Sequence, residues 1–227
     1  MTAARWARWV ALAVGLTAAC QAVYHLTGTG GRILSLDREL SLAGGPSQWT
    51  IPIPALLSFL TLVGAGLLWW RAARVHATGV RLAGLVLSGF LLFMALDELL
   101  GIHEQVGHLL RVKWLVAYAP LILLAGLGSL YLVARLWQLA RPAALALLLG
   151  GCCWVLAQTL EILEWNGERH VSRGYTEMMT VEEIAETLGS GLFGLAAARL
   201  AQRRSVAGSS PQAEAIRPDE RLQHPAR

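Results

Sequence analysis

Six stretches of this chain, at about 9–26, 52–70, 81–100, 114–136, 142–163 and 181–200, are apolar over the length of a bilayer crossing. A hydrocarbon core about 30 Å thick needs about 20 apolar residues per helix. In lipid, each backbone N–H and C=O has to find its partner within the segment, and helices satisfy that demand. The expectation is an all-α polytopic membrane protein with six transmembrane helices. With 55% hydrophobic and 15% charged residues in 227, the chain is too apolar for an ordinary soluble domain. Trp6, Trp9, Trp49, Trp69, Trp70, Trp114, Trp137 and Trp165 stand at the stretch ends, where indole rings prefer the headgroup level.

Arg5 and Arg8 before an apolar stretch ending at Cys20 imitate a lipoprotein signal. Thr17 stands where such a site wants Leu, and the apolar run continues to Val23, so a retained first helix is expected. Cys20, Cys152 and Cys153 lie in apolar stretches without metal or redox spacing and read as small hydrophobes.

Basic residues set the direction. One set of flanks, with the C-terminal tail, holds thirteen Arg; the other holds six Arg and Lys. That imbalance places both termini in the cytoplasm of a cell-membrane protein. The net charge of +4 comes from basic residues set singly or in pairs beside apolar runs, which is a topology signal and gives no nucleic-acid surface. Residues 1–202 form the membrane domain, and the polar segment 203–227 reads as a disordered cytoplasmic tail. The first outer loop has partial helical periodicity at 34–42, as expected of a short interfacial helix.

The acids, which played no part in the direction argument, segregate to the other side. Apart from Glu214, Asp219 and Glu220, all of them fall on the outer side, ten of the fifteen in three short stretches at helix ends. Ionisable groups at the edge of hydrocarbon are costly, so such a gathering is a functional-site hypothesis. Asp97 and Glu98 end the third span; Glu104 and His108, four residues apart, can ligate one ion from one helix face. If that helix continues, Asp97, Glu104, His108 and Arg111 share a stripe about 80° wide around Gly101. His103-Glu104-x-x-x-His108 has one residue too many for a zincin motif, which sets its histidines about 140° apart. Glu161 lies about one turn inside the headgroup level, with Gln158 near it. In the sixth span, Thr180 and Glu183 have capping-box spacing, whereas Glu186 is too far along to cap and points into the span. His25, His103 and Glu183 are possible further contributors.

Gathered in one bundle mouth, such carboxylates would repel each other or take up protons unless a cation were present. The expected site has Asp97, Glu104, His108, Glu161 and Glu186 as ligands of a divalent metal, with zinc, iron or manganese suited to oxygen and imidazole donors. Glu98 or Glu186 would act as general base for metal-dependent hydrolysis of a lipid-like or membrane-borne substrate. Membrane lipids are the surrounding partners. Three other readings stand beside it: a proton- or cation-coupled carrier, a haem site using His25 with His103 or His108, and a non-catalytic membrane subunit with an acidic docking face. The run Asp97-Glu98 with His103-Glu104, joined to Glu182-Glu183-x-x-Glu186, resembles a pattern in small bacterial multipass proteins of no assigned activity; the resemblance implies a membrane bundle and transfers no reaction.

Overall fold

The computed structural model describes residues 1–27, 53–100, 102–110, 114–164 and 175–208. The proposed interfacial helix at 34–42 and the tail from 209 onward lie outside the described residues. All regular structure among the described residues is helical: α1 (Ala3–Thr27), α2 (Ile53–Ala73), α3 (Thr78–Leu100), α4 (Ile102–Leu110), α5 (Trp114–Leu139), α6 (Arg141–Glu164) and α7 (Tyr175–Gly208). Five of these, α1, α2, α3, α5 and α6, are long and apolar enough to cross a membrane, as in a multi-pass membrane protein. In α7, Glu182, Glu183 and Glu186 interrupt the apolar run. Its 34 residues extend about 50 Å, well beyond a hydrocarbon core of about 30 Å.

Two sequence expectations need correction. The capping box at Thr180 and Glu183 does not form an N-terminus, because α7 already begins at Tyr175 and places both residues in its interior. The stripe joining Asp97 to Glu104 and His108 needed one continuous helix, but α3 ends at Leu100 and α4 is a separate helix starting at Ile102. The ends near Gly101 thus belong to two elements whose faces are not related by a single helical period.

The packing is turned outward for lipid. Leu123, Leu124, Leu127 and Leu130 of α5 and Val155 and Leu156 of α6 are exposed, a pattern that in water would be an aggregation surface. The interior is assembled around α7, which packs on α6, α2 and α1, while α2 pairs with α3 and α5 bridges α3 and α6. Small residues make this central position possible. An ideal Cβ on Gly189 would stand 2.9 Å from the Gly150 carbonyl oxygen, and one on Gly150 would stand 2.9 Å from the Gly189 carbonyl oxygen, so α6 and α7 meet backbone to backbone. The indole of Trp6 lies over Gly194 and donates to the Gly191 carbonyl at 2.6 Å. Trp69, fully buried on α2, donates to the Phe193 carbonyl at 2.9 Å. Ser88 of α3 donates to the Gly66 carbonyl of α2 at 2.8 Å, where the hydroxyl rather than lipid satisfies a helix carbonyl. These cross-helix bonds fix register where hydrophobicity alone, equal for lipid and protein, cannot.

Candidate functional site

At the α3, α6 and α7 ends rich in acids, a cavity of about 100 Å³ opens between the helices. Asp97 and Glu98 line it from the last turn of α3, Glu161 from the end of α6, and Glu182, Glu183 and Glu186 from the early turns of α7. Three sequence-distant helices therefore bring six carboxyl side chains to one cavity, and among the described residues no Arg, Lys or His lines it. Ser58 and Leu62 of α2, Met94, Trp114, Trp154 and Gln158 complete the wall.

Asp97, Glu161 and Glu186 are each held by a neighbour from another helix. Asp97 is only 2% exposed, and its Oδ1 accepts a 2.9 Å hydrogen bond from the Tyr118 hydroxyl of α5. Tyr118 is fixed in turn by ring contacts with Trp114 at 5.4 Å and Phe93 at 5.3 Å, both edge-on or tilted as ring quadrupoles favour. The Trp114 indole donates to Glu161 Oε1, which ties the start of α5 to the end of α6. Gln158, one turn below Glu161, donates from Nε2 to Glu186 Oε1 at 3.2 Å, while its own Oε1 is enclosed without a hydrogen-bond partner. Below them Trp154 donates to Ser190 Oγ at 3.2 Å and lies against Phe90 and Phe193. The floor of the cavity is thus aromatic and its rim is carboxylate.

Of the residues singled out from sequence, Asp97, Glu98, Glu161, Glu183 and Glu186 reach this cavity. The side chains of Glu104, His108 and His103 on α4 and of His25 on α1 lie outside the described residues. Among the described residues, no group of three or more His, Cys, Asp and Glu side chains is gathered closely enough to hold a metal ion. The carboxyls ring the cavity without converging on one point.

Sequence reasoning left Glu182 out of the site, and missed the parts played by Ser58, Tyr118 and Trp154. Ser58 and Tyr118 carried a usable signal, since a hydroxyl in a span has to find a partner inside the protein. Trp114 was read as a headgroup anchor; its indole N–H is instead engaged by Glu161.

No curated protein and no solved structure matches the chain. A family model described as "Domain of unknown function (DUF8692)" matches residues 7–200, which takes in every described residue lining the cavity, and the chain belongs to that family.

Proposed function

We propose that this protein is a six-span membrane protein, both termini cytoplasmic, that binds a divalent cation in the acid-lined cavity at its outer end. One observation carries the reading: six carboxyl groups line about 100 Å³ of space, with no basic side chain among the described residues that line it. Like charges this close in a poorly solvated cavity cannot all stay ionised unless a cation sits among them. The spread of the carboxyls around the wall suits an ion that keeps part of its water, with some ligands reaching it through that water. All-oxygen donors favour manganese over zinc; imidazole from His108 of α4, with Glu104, would shift the preference toward zinc or iron.

A cation held there polarises its bound water at the depth of lipid ester, amide and phosphate linkages. Glu98, left free of the ion while Glu186 is among its ligands, is the general base for hydrolysis of a lipid-like substrate. The inner halves of the spans carry no acidic residue and close on Trp69, Leu91, Leu136 and Leu147, which favours binding over a carboxylate relay across the membrane. Burial of Asp97 likewise favours an enclosed guest over a flat docking face.

The test is metal content and calorimetric titration of the detergent-purified protein with Mn²⁺, Fe²⁺ and Zn²⁺. Saturable binding near one ion per chain is expected, weakened at least about tenfold by Glu186→Gln, since each charge-assisted ligand contributes on the order of 1.5–3 kcal/mol. A wild-type protein that carries no metal and binds none of the three ends the proposal.

A further inference from the structure

We infer that the seam between α1 and α7 holds an ordered water bridging Thr17 and Thr187, as a hydrated branch of the interior separate from the carboxylate-lined cavity. Both threonines are 0% exposed, and neither Oγ1 has a hydrogen-bond partner. A buried helical threonine ordinarily turns its hydroxyl back to the carbonyl four residues earlier. Thr61, equally buried, does so to Leu57 at 2.8 Å, and the exposed Thr159 does so to Val155 at 2.7 Å. Thr17 and Thr187 do not, although a buried hydroxyl with nothing to bond is strongly disfavoured.

The register brings the two hydroxyls to neighbouring levels of the seam. Trp6 lies over Gly194 and Val10 over Gly191, so α1 and α7 run antiparallel. The buried stripe of α1 continues from Val10 through Ala13 to Thr17 and Gln21. On α7, Thr187 is one turn outward of Gly191 and one turn inward of Glu183. At 1.5 Å per residue, Thr17 stands about 10.5 Å beyond Val10 and Thr187 about 6 Å beyond Gly191, an axial offset of about 4.5 Å. One water bonded at about 2.8 Å to each hydroxyl spans up to about 5.5 Å. The inner end of the seam is glycine packed against Trp6 and Val10, and its outer end is threonine and glutamine, so polarity begins where the water is placed. Buried water occupies such sites, polar and otherwise unsatisfied.

A double-mutant cycle of the full chain in detergent decides the matter. Thr17→Val and Thr187→Val keep the side-chain shape and remove one hydroxyl each. If a water is shared, each single variant strands the other hydroxyl and lowers the apparent Tm by about 2–4 °C, and the double variant falls no further than the larger single. If both hydroxyls are dry orphans, each valine raises the Tm. A rise in either single variant, no change in both, or decreases that add in the double variant overturns the inference. X-ray hydroxyl-radical footprinting of the wild type is a second measurement that needs no variant. Radicals formed from the bound water are expected to modify the 10–21 peptide despite its burial, and an unmodified peptide also overturns the inference.

Discussion

Gly150→Ala tests whether the α6–α7 crossing is as close as its backbone geometry says. An ideal Cβ at this position stands 2.8 Å from Phe193 Cδ1 and 2.9 Å from the Gly189 carbonyl oxygen. Comfortable separations for such pairs are about 3.5 Å or more, so something has to give by about 0.6 Å. The carbonyl is backbone, and the Phe193 ring, 4% exposed, is held against Trp154 at a centroid distance of 6.4 Å. The helices themselves must part. Overpacking of this kind costs about 1–3 kcal/mol, offset by up to about 1 kcal/mol from the better helix propensity of alanine. At about 2–4 °C per kcal/mol for a chain of this size, the apparent Tm falls by about 2–8 °C. The neighbouring Gly151 has nothing within 4 Å of its Cβ position, so Gly151→Ala is the internal control and is expected to be neutral or slightly stabilising. Tryptophan fluorescence on heating in detergent measures both. Equal effects of the two alanines would refute the argument, because helix propensity changes alike at both positions and only Gly150 sits in the crossing.

Tyr118→Phe removes a donor to buried Asp97 and is expected to lower the Tm by about 3–12 °C, the range for a charge-assisted bond of about 1.5–3 kcal/mol; an unchanged Tm would show that Asp97 does not rely on that hydroxyl. Trp69→Phe deletes the indole bond to the Phe193 carbonyl inside the core and is expected to lower the Tm by about 2–8 °C in the same assay. Glu161→Gln keeps an acceptor oxygen for Trp114 while removing a charge from the cavity. It should leave the Tm of the cation-free protein within about 2 °C of wild type while weakening Mn²⁺ binding at least about tenfold, a split read by calorimetry beside thermal melting.

The helical class and the places of five apolar crossings could be read from the sequence, because lipid imposes one rule on each segment separately: length, apolarity and internally paired backbone. The placing of acids at helix ends was legible for the same reason, since there they escape the hydrocarbon. Where α7 begins was not legible. Thr180 and Glu183 have the spacing of a cap, and only the helix running in from Tyr175 shows that the pattern is idle. The break between α3 and α4 also escaped, because residues 97, 104 and 108 share a face on paper whether or not the helix continues between them.

What tertiary structure alone decided is which side chains meet. Whether Glu182 shares a cavity with Asp97, whether Trp154 reaches Ser190, and whether two buried threonine hydroxyls are left without a partner depend on the rotation and register of helices far apart in the chain. In lipid those are fixed by the contact of glycine backbones and a few indole-to-carbonyl bonds, short-range terms of which apolar periodicity carries no trace.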